Sequence, residues 1–149
     1  MADVLAARTS GTLYKAQLLD YYYSRRAESA IGNGQRFEIK TACWGKSTLV
    51  SVNEAGGWNI SDIPTDFVLE DMTTNFAKCE LVRSVQGNII TLNAVLPQDS
   101  LEEDTVYDFN TLVLLDAEDK AIAVLATQQD TVYLGKNYSI IMMIEQAGS

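Results

Sequence analysis

Residues 12–30 read TLYKAQLLDYYYSRRAESA, and the fold turns on whether this stretch is a helix. It contains neither Pro nor Gly, and Leu13, Ala16, Leu18, Leu19, Tyr22, Tyr23, Ala27 and Ala30 recur at approximately helical spacing. One long helix over Leu13 to Ala30 is predicted. Ser10-Gly11-Thr12 supplies cap candidates at its start, and Ile31-Gly32-Asn33-Gly34 supplies a stop and a turn at its end.

Beyond that turn the periodicity changes towards two. Phe37, Ile39, Thr41 and Cys43 share one face of a strand running to Trp44, with Glu38 and Lys40 on the other. Thr48 to Val52 reads as a short strand, and Asn53 to Thr65, with Gly56-Gly57, Asn59, Ser61, Asp62 and Pro64, reads as loop. From Lys78 onward the pattern is a run of hairpins. Lys78–Val85 and Asn88–Leu96 meet at Gln86-Gly87, and Val106–Leu115 and Ala121–Thr127 meet around Asp116–Lys120. Five bulky residues in succession, Ile140 to Ile144, predict a last strand that is central or sits at an interface. The reading is an α+β domain: a long N-terminal helix followed by antiparallel β-sheets, sandwich-like, over one core. Residues 1–149 form a single domain, 1–34 an N-terminal arm and helix and 35–149 a β-rich body.

Length and composition agree. The chain has 149 residues, 47% of them hydrophobic and 21% charged, which suits one domain with one core. Its formal charge of -9 disfavours nucleic acid and anionic membrane as partners. Residues 1–40 carry six basic and four acidic groups, whereas 41–149 carry five basic and 16 acidic, so the two parts attract. No stretch approaches about 18 uninterrupted apolar residues, and the N-terminus lacks a secretory pattern, so synthesis in a cytoplasm without a cleaved signal is expected.

The chain has no His, which removes the usual acid-base group near neutrality and the commonest zinc ligand. Cys43 and Cys79 alone cannot complete a tetrahedral metal site, and they read as buried reduced thiols, with a disulfide as the alternative. Asp99, Glu102, Glu103 and Asp104 read as a solvated acidic loop because the spacing of a calcium loop is missing. No catalytic residue, cofactor or metal is expected. Tyr21-Tyr22-Tyr23 followed by Arg25-Arg26 reads as a contact layer with ion-pair donors, not as a nucleic-acid site. Trp58 with Asn59 and Asp62 is a possible ligand loop, the stacking and polar groups that a glycan-binding β-domain would use.

Several segments together resemble the N-terminal, baseplate-attachment domain of bacteriophage tail-collar fibre proteins. They are Leu13–Ala30, Phe37–Trp44 with a turn at Gly45, Cys79–Leu96, the strand Asp108–Asp116, its return Ala121-Ile122-Ala123-Val124, and Tyr133-Leu134-Gly135-Lys136 before the closing strand. Trp44-Gly45-Lys46 stands where that family has a Gly-Asp-Gly turn, and the Gly-Gly-aromatic element lies at Gly56-Gly57-Trp58 instead of ahead of Val106.

The resemblance implies a structural component of a contractile tail: a tail-fibre or baseplate adaptor in the virion, made in the bacterial host cytoplasm and performing no chemistry. Its implied partners are other virion proteins, a fibre shaft or baseplate, and further copies of itself, with a trimer favoured. Tyr22, Tyr23 and Arg26, or Ile140 and Met142 in the last strand, would line the contacts. The competing readings are a glycan-binding β-domain recognising a host surface and a carboxylate-dependent glycoside hydrolase. The chain reads either as a stand-alone adaptor or as part of a longer fibre.

Overall fold

A computed structural model describes residues 3–8 and 14–146. The chain is mostly β-structure in two antiparallel sheets. One holds four strands in the order β1 (Val4–Arg8), β11 (Ser139–Glu145), β8 (Ile89–Val95), β7 (Val82–Gln86). The other holds five, in the order β2 (Tyr14–Leu18), β10 (Ala121–Tyr133), β9 (Val106–Asp116), β3 (Ile39–Ser47), β6 (Met72–Glu80). A small hairpin of β4 (Val50–Val52) and β5 (Trp58–Ile60) completes the strands, and α1 (Asp20–Ala30) is the one α-helix among the described residues.

The long N-terminal helix, and with it the α+β reading, is therefore wrong. Tyr14 to Leu18 is a strand paired antiparallel with β10, Leu18 opposite Ala123 and Tyr14 opposite Thr127. These five residues also alternate with period two. A strand there closes the free edge of β10 with backbone hydrogen bonds, which a helix in the same place could not do. Leu19 extends the pairing, its amide donating to the Ile122 carbonyl at 2.9 Å, and only at Asp20 does the helix start. Thr65 meets that start: its carbonyl accepts from the Asp20 amide and its hydroxyl donates to the Asp20 carboxylate. The proposed caps Ser10, Gly11 and Thr12 lie outside the described residues. The C-terminal stop is present, with Gly32 at φ +75 and the amides of Gly32 and Asn33 returning to the carbonyls of Ser29 and Glu28.

The two sheets face each other across the main core. Leu92, Ala94, Ile140, Met142 and Ile144 of the four-stranded sheet meet Ala42, Trp44, Leu112, Leu114 and Leu125 of the five-stranded one. A second apolar layer lies on the opposite side of the five-stranded sheet, where Leu49, Val50, Ile63 and Phe67 cover Cys43, Val113, Leu115 and Val124. Apolar packing thus occupies two layers, where a single core was expected. The five-stranded sheet is a middle layer, which explains why Thr41 to Gly45 are buried in succession and not alternately. Within the reading of Asn53–Thr65 as loop, Trp58–Ile60 forms β5, because the hairpin and the loop after it must cover that second face.

The hairpin turns fall at the turn residues, but Lys78–Val85 is not one strand: it divides at Leu81, with β6 in the five-stranded sheet and β7 in the four-stranded one. Gly87, at φ +61, and Asn88 join β7 to β8, and Asp116 organises the β9–β10 turn by accepting from the amides of Glu118 and Lys120. Gly45 marks an irregularity inside β3, not a turn: β3 continues to Ser47 with a register shift against β6. Cys43 and Cys79 are free and buried, in the outer and the main apolar layers respectively, and burial pushes both thiols up. No helix among the described residues is long and apolar enough to cross a membrane.

Candidate interaction surfaces

Tyr22, Tyr23 and Arg26 of α1 gather around Asp3. The Tyr22 hydroxyl donates to the Asp3 carboxylate at 2.7 Å, Arg26 pairs with the same carboxylate oxygen, and the Tyr23 hydroxyl donates to the Asp3 carbonyl at 3.4 Å. The Tyr22 and Tyr23 rings meet edge to face with centroids 5.1 Å apart, and the Arg26 guanidinium lies 5.7 Å from the Tyr22 centroid. This cluster ties the residue preceding β1 to the helix. Tyr22 is only 1% exposed, so its contacts are those within the chain.

Burial pushes the Tyr22 phenol from its ordinary value near 10 up to about 12, with the Asp3 carboxylate adding to the rise and Arg26 opposing it. Because the raised value belongs to the folded state, the stability it carries is complete below pH 10 and is lost as pH climbs through about 12. Alkaline titration is expected to lower stability through Tyr22 by roughly 2 to 3 kcal/mol between those limits. Urea unfolding at a series of pH values checks this. Tyr22→Phe should flatten the alkaline limb, and an unchanged limb would refute the assignment.

In β11, Ile140 and Met142 point into the main core and are fully enclosed. Their neighbours Ile141 and Met143 point the other way and are half-buried on the outer face of the four-stranded sheet. Register places Ile141 opposite Asn93, and Met143 opposite Thr91 and Ala6. Register also brings Arg8 of β1 opposite Ile141. The Asn93 side-chain oxygen is buried there with no hydrogen-bond partner among the described residues. Whereas the hairpin and its following loop cover the outside of the five-stranded sheet, no described segment covers this face.

The residues of the possible ligand loop lie on and just after β5. Trp58 is half-buried and packs onto the second apolar layer, and the Asn59 side-chain oxygen accepts from Asn53 at 3.0 Å. Asp62 is exposed and pairs with Lys15 at 2.7 Å, a hydrogen bond that holds its carboxyl below the usual range. Among the described residues no three of Cys, Asp and Glu come together as a group that could hold a metal ion.

Three participants were not anticipated: Asp3, Asn93 and Arg83. Asp3 is an isolated acid near the N-terminus with no local pattern around it. Arg83 bridges from β7 to the segment before β3, donating to the Glu38 carboxylate at 2.6 Å and to the Ile39 carbonyl at 2.9 Å. That bond holds the Glu38 carboxyl below its ordinary value. Only the alternation of β7, which puts Arg83 on the same face as Val85, hinted at its direction.

The family described as "Bacteriophage P1 tail fiber protein R" matches residues 1–149. A similar protein is "Tail fiber protein R" of Escherichia phage P1, 47% identical over 144 residues, covering 97% of this chain and 96% of that one. No solved structure matches the chain.

Proposed function

The chain belongs to the bacteriophage P1 tail fiber protein R family, and on that premise we propose that it is an adaptor of a contractile tail, holding a fibre to its attachment point through protein contacts and catalysing nothing. Membership makes it a structural tail component and part of the virion, in contact with other virion proteins. The tail-fibre resemblance of the sequence is borne out at that level.

The finer reading is a homo-oligomer, with a trimer favoured, in which copies meet through the outer face of the four-stranded sheet. The observation that carries it is the half-buried pair Ile141 and Met143 on a sheet face that no described segment covers. The centre of a protein interface is more apolar than its rim, and Ile141 and Met143 supply such a centre. With Tyr22, Ile140 and Met142 enclosed by the chain itself, the contact passes to their outward-facing neighbours.

Sedimentation at tens of micromolar tests this. The wild-type chain is expected to be oligomeric and the double variant Ile141→Lys, Met143→Lys monomeric, with far-UV circular dichroism unchanged. A monomeric wild-type chain, or an oligomer indifferent to both lysines, would overturn the reading.

A further inference from the structure

From the geometry beside β7 we infer that this edge receives an extended acidic segment of another polypeptide as an added strand. β7 is the outermost strand of its sheet, paired with β8 alone, and all five of its residues are exposed. In the two-residue hairpin, Gln86 and Ile89, Ser84 and Thr91, and Val82 and Asn93 exchange the ladder bonds. The backbone amides and carbonyls of Arg83 and Val85 consequently point away from β8, and no hydrogen bond of theirs on that side occurs among the described residues. An open edge of this kind is a template for strand addition.

The edge opens onto a groove of about 550 Å³ between β7 and residues 36–39. Phe37, Ile39, Val85 and Ile90 provide its apolar surface. Arg26, Arg36 and Arg83 line it as well, with Arg83 paired to Glu38 in the lining and Arg26 paired to Asp3. Of the three, Arg36 is the cation open to a ligand: its side chain is 83% exposed and 3.9 Å from Glu38, and a guanidinium has five donors. A concentration of cations in a chain of formal charge -9 selects an acidic partner. A second copy fits poorly. Its acid-rich stretches are held as a 3-10 helix at Gln98–Ser100 running into a turn at 103–104, and as the turn between β9 and β10. The occupant is therefore a strand from a different protein, with apolar side chains entering the groove and a carboxylate meeting Arg36.

The probe is a fluorescein-labelled peptide of alternating Glu and Val, seven residues long, with a Lys and Val peptide as control. Anisotropy is expected to show saturable binding at least about tenfold tighter for the acidic peptide. Amide hydrogen exchange should slow at Arg83 and Val85, which side-chain docking alone would not cause. Arg36→Glu, on an exposed side chain, should weaken binding about tenfold. Val85→Pro, which removes an outward donor and spares the β7–β8 ladder, should do the same. No saturable binding below about 1 mM, equal binding of the control, or protection confined to other strands would overturn the inference. Protection of the same two amides that grows with protein concentration and without peptide would also overturn it, by assigning the edge to a second copy. The experiment reads this chain alone, so its failure leaves the tail assignment standing, and a monomeric wild-type chain leaves the groove standing.

Discussion

Gly45→Ala is expected to unfold the chain or to cost about 3 kcal/mol or more, with β3 and β6 forced apart. A Cβ at this position would lie 1.9 Å from the Thr74 carbonyl oxygen and 2.8 Å from its carbon, both backbone atoms of the neighbouring strand. Side chains can swing aside, but a paired strand cannot move without breaking its ladder. The close approach arises at the register shift where Trp44 faces Ala77 and Gly45 faces Asn75. It is space and not backbone conformation that demands glycine here. Urea unfolding and amide exchange check the outcome: exchange at β6 should accelerate first, because β6 is an edge strand held by β3 alone. A variant as stable as the wild type would show that the two strands can separate freely.

Trp44→Ala should cost roughly 3 to 5 kcal/mol and lower the melting temperature by about 10 °C or more. Trp44 is the largest fully buried side chain, at 0% exposure, and it faces the centre of the main core. Its ring meets Phe109 at 5.0 Å and Tyr138 at 5.9 Å between centroids, and Phe109 and Tyr138 also meet each other. Three aromatic residues from β3, β9 and the segment before β11 thus brace the two sheets. The indole N–H donates to the Cys79 sulfur at 3.3 Å, so truncation also leaves that sulfur without its donor. Trp44→Phe keeps much of the volume and loses the bond, and should fall well short of the alanine cost. If alanine and phenylalanine destabilised equally, the hydrogen bond and not the packing would be the dominant contribution.

The late hairpin turns were legible because their signals are local, whereas Lys78–Val85, read as one strand, is divided between β6 and β7 in different sheets. Alternation marks β7 and β8, Gly87 supplies the positive φ of their turn, and Asp116 with Asp119 at φ +63 shapes the next. Residues 14–18 were not legible as strand. Tyr14, Lys15, Ala16, Gln17 and Leu18 tolerate helix as readily as strand, and their state depends on β10, more than 100 residues later. The interaction surfaces divide in the same way. Ile140 to Ile144 announced a strand in contact on both faces, but five aliphatic residues carry no polar marker to say which side turns inward. Pairing with β8 and β1 made that choice, placing Ile140, Met142 and Ile144 in the core and leaving Ile141 and Met143 outside. Asp3 shows the limit most plainly: no local rule joins it to Tyr22 and Arg26, 19 and 23 residues away.

By itself, then, the amino-acid sequence determined a β-rich, acidic chain, its late hairpins, the end of its helix and its tail-fibre kinship. These depend on turn chemistry, alternation and charge, which act over a few residues or over the whole composition. Tertiary structure alone decided the state of Tyr14–Leu18, the direction of each side chain in β11 and the open edge at β7. Those outcomes follow from hydrogen bonds and burial shared between distant strands, and a segment that is locally indifferent takes whichever form leaves its neighbour's backbone satisfied.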